Sequence, residues 1–285
     1  RGPHREAHQN HPAPPDAVKD TRIERDTTSE APREPKDTVK IIPHHLLGRM
    51  IFNNASNQII NKRDIQTTNY SDFSEIMNRT MPALPMTLGA YGANNSVSVF
   101  GAMPNNISYK YNGRSLNDLE DLAFNPAEFS PEFFENAEIL VGSDASVMSG
   151  ASGAAINFQE MRYNTAKPYT RLWYLQSANN TISSDGVYSQ NIAQGLNFTF
   201  GFRAMTSDGA YENSSLESWN VRAKLRYDLN DWSSVSLTEN FSAHAIGLNG
   251  GMSESLSEDV FSTVTAIAVN RYLDEKRSRH DVTLT

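Results

Sequence analysis

The sequence predicts a small α/β domain followed by long antiparallel strands, which periodicity alone assigns equally to a transmembrane β-barrel wall or to a soluble sandwich. Three observations carry this. Residues 41–162 mix helix and strand signals, whereas from about 168 onward the chain alternates apolar and polar residues. The alternation is clearest in WNVRAKLRYDL (219–229), where Trp219, Val221, Ala223, Leu225, Tyr227 and Leu229 interleave with Asn220, Arg222, Lys224, Arg226 and Asp228. Such a strand has one wet and one apolar face. The connections also alternate, tight turns at Gln194-Gly195 and Asn230-Asp231 against longer polar stretches at 206–217 and 246–261.

Taken in order, residues 1–40 hold six of the 13 prolines and almost no large apolar side chain. Such a segment buries too little surface to offset its ordering entropy, so it reads as a disordered tail or linker. In 41–162, Asp72 with Glu75 forms a capping-box pattern, Phe73, Ile76 and Met77 fall on one helical face, and Pro82 stops the helix. Asn125-Pro126 and Ser130-Pro131 each read as an N-cap followed by proline at the first helical position. Short strands are expected at 96–100, 107–111 and 137–141. In 163–285 the candidate strands are 168–178, 186–193, 196–205, 218–229, 233–245, 262–272 and 280–285. Crossing hydrocarbon takes ~9–11 tilted residues, whereas soluble strands peak near ~5–6. The eleven alternating positions of 219–229 favour lipid, as do long loops at one end of the strands and short turns at the other.

The net charge of −8 argues against a nucleic-acid partner. Zero cysteines exclude disulfides, thiol catalysis and cysteine metal sites. No apolar run reaches ~18 residues, so a transmembrane helix is excluded while a barrel is not. The chain opens at Arg1 without an apolar leader, as expected if one was removed or left out. His4, His8 and His11 lie in the tail and His44-His45 beyond it; they read as exposed or structural residues, and neither metal nor cofactor is expected. Acid pairs such as Glu120-Asp121 read as solvated surface, and no catalytic constellation stands out, so an enzyme is not expected.

Residues 135–158, ENAEILVGSDASVMSGASGAAINF, decide between lipid and a soluble core. Read bare, they are a strand, a turn and a small-residue segment able to pack closely against another backbone. No Gly-x-x-x-x-Gly-Lys pattern is present and no clear helix is seen to follow, so a phosphate cradle is set aside. The segment resembles the end of the plug domain of TonB-dependent outer-membrane receptors, with Glu138, Ile139, Gly142, Ser146, Gly150, Ser152, Gly153, Ile156 and Asn157 at matching places. SDFSEIMNRTMPAL (71–84), SVSVFG (96–101) and YKYNGRSLND (109–118) are similar to the family's opening helix and two following strands. Phe100, Asn112 and Ser143 stand where the family has arginine, aspartate and proline.

The resemblance implies a small α/β plug domain (41–162) after the tail (1–40), followed by antiparallel transmembrane β-barrel strands (163–285) that form an incomplete barrel. Its implied function is outer-membrane import of a scarce solute, siderophore-, cobalamin- or oligosaccharide-like, by TonB-driven plug movement, with plug and tail facing the periplasm. Asp37, Thr38, Val39, Lys40 and Ile41 resemble the segment that the TonB-type energy transducer pulls. An extended segment after a flexible tail can add a strand to such a partner's sheet. By family position, solute contacts fall on apical loops and include Tyr91, Asn94, Asn95, Asn105 and Phe124, while Glu138, Gly142, Gly150, Gly153 and Asn157 are structural. The other expected partners are outer-membrane lipid and the small solute. One alternative is a receptor-derived channel or assembly subunit without TonB coupling; another, of a different class, is a secreted β-rich glycan-binding or adhesive module. At most seven strands are counted, whereas enclosing a plug takes ~22, so the chain is expected to be an N-terminal fragment. Arg222, Lys224 and Arg226 then point into the lumen. An engineered cysteine at 225 should react with a lipid-soluble label and one at 224 with a water-soluble one; the reverse pattern overturns the register.

Overall fold

The computed structural model describes residues 58–86, 96–119, 122–149, 151–164 and 167–285. Strand β1 (Gln58–Asn61) runs into helix α1 (Lys62–Thr67), where the Asp64 carboxylate accepts from the Asn61 amide at 3.0 Å. Helix α2 (Phe73–Thr80) is capped by Asp72, which accepts from the Ser74 amide at 2.7 Å. The Glu75 carboxylate reaches back to the amide and hydroxyl of Ser71, one residue earlier than the expected box would have it. Phe73, Ile76 and Met77 are buried, and the helix ends just before Pro82. Strands β2 (Ala83–Met86) and β3 (Ser96–Val99) pair as a separate two-stranded sheet.

Strand β4 (Ile107–Tyr111) turns into β5 (Arg114–Ser115) through Asn112 and Gly113, with φ of +49° and +83°. Two successive positive φ values make the tight hairpin that Asn-Gly favours. Strand β6 (Phe134–Val141) follows the two proline-led 3₁₀ turns Pro126–Glu128 and Pro131–Phe133, each capped by the side chain expected, Asn125 and Ser130. Helix α3 (Ser143–Ser149) corrects the reading of 135–158, in which no helix was seen. It has seven residues and no apolar stripe, and it is anchored where Ala145 meets Leu140 and Ala155. Strand β7 (Ala154–Glu160) completes a sheet ordered β1-β6-β7-β4-β5, in which only β4 and β7 run parallel. Its apolar face holds the core, where Phe134 stacks on Phe158 at 4.4 Å and Phe73 meets Phe158 edge-on at 4.9 Å.

Six strands make the second sheet: β8 (Tyr169–Gln176), β9 (Ile182–Ala193), β10 (Leu196–Ser207), β11 (Leu216–Asn230), β12 (Ser233–Gly247) and β13 (Asp274–Leu284). Each pairs antiparallel with its neighbour in sequence. The expected strand at 262–272 is not one. That run carries apolar side chains on both sides of the backbone and folds back on 249–253, with Val269 N donating to Gly251 O at 2.9 Å and Asn270 N to Asn249 O at 2.8 Å. The last strand begins at Asp274, six residues before its expected start, because Asp-Glu-Lys-Arg-Ser-Arg shows no apolar alternation.

The two faces of the second sheet differ as WNVRAKLRYDL requires. Trp219, Leu225, Tyr227 and Leu229 are exposed on one side, while Asn220, Arg222, Lys224 and Arg226 are buried on the other. The buried side lies against the α/β domain. A cysteine at 224 would therefore meet that domain before water, so its labelling requires the domain to move. Gly201 of β10 is a point of close approach, since a Cβ there would overlap the ring of Phe133. Gly201→Val should weaken the docking by about 1–3 kcal/mol, read as faster amide exchange across 129–134; unchanged exchange would show that the ring is not seated there.

Candidate functional site: a charged seam and a cavity beside it

The inward positions of four consecutive wall strands converge on the short segment Phe129–Phe133. From β8, the Arg171 guanidinium pairs with Glu132 at 3.1 Å. From β9, the Asp185 carboxylate accepts from the Ser130 hydroxyl at 2.5 Å. From β10, Arg203 donates to the carbonyls of Phe129 and Ser71. From β11, Arg222 donates to the Phe133 carbonyl at 3.0 Å and lies over the Phe133 ring, 5.3 Å from its centroid.

Two carboxylates organise the charges. Glu132 is fully buried and also accepts from Lys62 at 3.4 Å and from the Tyr70 hydroxyl at 2.9 Å. Burial pushes the Tyr70 phenol up, with Asp185 and Glu132 adding to the shift, so it remains a donor. Burial pulls the Lys62 ammonium down, and Glu132 draws it partly back. Glu160, at the end of β7, pairs with Arg222 and with Lys224 (2.6 Å), and accepts from the Tyr111 hydroxyl at 3.2 Å. Asn112 ties in here too, its side-chain oxygen accepting from the Glu160 amide at 3.0 Å. Removing one member of such a buried pair typically costs about 3–5 kcal/mol, since the other charge is left uncompensated. At the far edge, Arg114 pairs with Asp281 of β13 at 2.6 Å, and Arg279 donates to the Leu116 carbonyl at 3.0 Å.

A cavity of about 400 Å³ opens between these contacts and the ends of β12 and β13 that face the long connection 248–273. The α/β domain contributes an apolar floor from Met86, Met103, Leu116 and Phe124, and polar groups from Asn105, Asp118 and Glu128. The wall contributes His244, Ile246, Glu275, Arg277 and Arg279. His244 is buried, and its Nε2 has no hydrogen-bond partner among the described residues. Apolar walls with a few convergent polar groups, at this volume, are the ordinary makeup of a small-molecule site. A second cavity of about 440 Å³ lies between the start of α2 and the connections after β8 and β10.

The expected site residues are distributed unevenly over this arrangement. Asn105 and Phe124 both line the first cavity. Asn105 is exposed, whereas Phe124 is buried and packs on Tyr109 at 5.0 Å and Phe129 at 5.5 Å, so it belongs to the core as much as to the cavity. Glu138 and Asn157 sit in register on β6 and β7 and are joined by a 2.8 Å hydrogen bond from the Asn157 amide, whose oxygen accepts from Gly113 N at 3.0 Å. Gly142, at φ +61°, turns the chain into α3, and Gly153 lies against Ala102 and Asn106. The tail histidines, His44-His45, Asp37, Thr38, Val39, Lys40, Ile41, Tyr91, Asn94, Asn95 and Gly150 lie outside the described residues. Sequence reasoning missed Ser130, Glu132, Glu160, Asp185, Arg203 and His244. For the wall residues the signal was present, since each occupies an inward position of an alternating strand.

The family model described as "Putative porin" matches residues 102–279. No curated protein matches the sequence. Among solved structures, the siderophore receptor PirA from Acinetobacter baumannii superposes with a TM-score of 0.60 at 16 % identity, over 81 % of this chain and 37 % of its own. FpvA of P. aeruginosa, bound to heterologous pyoverdines, gives 0.61 at 11 % identity, over 80 % of this chain and 31 % of its own. The copper transporter OprC gives 0.56 at 14 % identity, over 67 % and 31 %. The chain thus spans about a third of the length of these proteins and shares their fold, a plug followed by the first strands of a barrel that these residues leave open.

Because Phe124 serves the core and Asn105 only the cavity, their truncations should separate. Phe124→Ala should destabilise the plug by about 3–5 kcal/mol, and Asn105→Ala should leave its unfolding midpoint within about 0.5 kcal/mol of wild type; chemical denaturation reads both, and equal losses would reject the distinction.

Proposed function

The chain belongs to this porin family, and on that premise we propose that it forms the plug and first wall strands of an outer-membrane β-barrel that admits a small solute. The single observation carrying the proposal is the pairing of opposite faces on one sheet. Its apolar side is exposed, with Trp219 toward the long connections and Tyr227 and Trp232 toward the short turns, as interfacial aromatics would be. Its polar side is occupied by a folded domain held through buried ion pairs. In a lipid bilayer that combination is a closed gate: the wall pairs its backbone groups strand to strand and the plug fills the lumen.

On this reading residues 1–40 are a periplasmic tail, 41–162 the plug and 163–285 the wall. The solute enters from the long-loop side and meets the cavity lined by Asn105, Phe124 and His244; Tyr91, Asn94 and Asn95 are proposed as further contacts by family position. Asp37–Ile41 (37–41) engages a TonB-type transducer, which draws the plug away from the wall. Deleting 37–41 from the full-length protein should lower its retention of the transducer's periplasmic domain at least tenfold; undiminished retention would reject the coupling.

A second reading, a channel without coupling, is favoured by the porin description of the family and by Phe100 and Asn112 standing where the receptor pattern has arginine and aspartate. Planar-bilayer recording of the purified full-length protein separates the two: a silent barrel supports the gated receptor, and steady conductance supports the channel.

A further inference from the structure

The outward face of the wall carries one feature that lipid does not explain. Along β12 the inward positions Thr238, Asn240, Ser242 and His244 are buried, so Leu237, Glu239, Phe241 and Ala243 point outward. Glu239 lies in register with Ala223, midway between Trp219 and Tyr227 on β11, and its other cross-strand neighbour is Val282. Its carboxylate meets the His280 ring at 2.9 Å, and that ring packs on Phe241 at 4.6 Å. An acid and a base thus sit together at mid-height on the outward face. On the outward faces of β8 to β11, between the levels of Trp219 and Tyr227, no carboxylate or basic side chain occurs among the described residues. Ionisable groups at this depth are costly in hydrocarbon and are retained where a partner covers them.

The surroundings indicate what covers them. Ala223, Ala243 and Ser278 flank the pair, with Ala243 and Ser278 directly in register, whereas the same face of β10 and β11 presents Phe198, Phe200, Trp219 and Leu225. Small residues allow two backbones to approach closely. A patch holding one acid and one base beside a shallow floor is self-complementary: across a two-fold axis, Glu239 of one copy meets His280 of the other, and the reverse. We propose that the outward face of β12 and β13 is a contact surface for a second copy of this chain within the membrane, centred on Glu239 and His280. The inference rests on the outward face meeting lipid, which the cysteine at 225 tests separately.

The 285 residues contain no cysteine, so Ser278→Cys introduces one reporter beside the pair. In native outer membranes holding the full-length variant, oxidation should give a disulfide-linked homodimer joined 278 to 278, and Leu225→Cys should give none. Adding Glu239→Leu with His280→Leu should lower the dimer fraction at least tenfold while the unheated barrel keeps its folded electrophoretic mobility. Ala243→Cys, beside it in register, serves as a second reporter if Ser278→Cys does not insert. Absence of a homodimer from both reporters, a homodimer unaffected by the double substitution, or linkage only to a different protein would each overturn the proposal.

Discussion

The structure depends on one constraint: the cations on the inner side of the wall must be satisfied, and the plug is what satisfies them. Arg171, Arg203, Arg222 and Lys224 all point inward from strands whose other face is apolar. Against them the plug sets Glu132, Glu160 and the carbonyls of Ser71, Phe129 and Phe133. Buried ion pairs contribute little net stability relative to an apolar contact, because desolvation offsets most of the attraction. Their effect is on geometry. A plug shifted by one strand would take Glu160 away from both Arg222 and Lys224, so a single docking is selected.

That docking also locates the cavity. The seam meets the wall at mid-strand, at Asp185, Gly201 and Arg222, whereas His244 and Ile246 lie near the long-connection end of β12. Contact at mid-height therefore leaves the upper plug loops apart from the wall, and the gap between them is the cavity. Its composition follows from the same cause. Apolar residues of the plug core, such as Leu116 and Phe124, reach its floor, while its far side is lined by inward wall residues that, Ile246 apart, are polar.

Much of this was legible in the sequence, and the omissions have physical reasons. The wall strands announce themselves because a surface between two solvents forces strict alternation, and 196–205, 218–229 and 233–245 fell close to their structural bounds. Where only one solvent acts, the signal fails. The segment 262–272 folds back on its own loop through backbone hydrogen bonds, with Ala266 and Ala268 buried, and β13 begins in charges because its inward residues serve the plug. Helix α3 is too short to show a period. Phe129–Phe133 displayed only a cap and a proline, for its role lies in carbonyls and in a carboxylate whose wall partners Arg171, Arg203 and Arg222 are far off in the sequence. No local pattern encodes a contact of that range.

The same pairs set the conditions under which the gate could open. Separating Glu160 from Arg222 and Lys224 in a dry seam would leave three charges uncompensated, which the low-dielectric interior strongly opposes. Water entering as the plug withdraws lowers that cost, because exposed ion pairs are worth only ~0–1 kcal/mol. On the proposed reading, opening and flooding would thus be one event: the seam would resist until its first pair is wetted, and each wetted pair would weaken the hold of the next. Among the described residues β1 pairs with β6, and Lys62, directly after β1, is held by Glu132 of the seam. On the proposed reading, a pull from the N-terminal side would therefore load the seam itself through the Lys62–Glu132 pair.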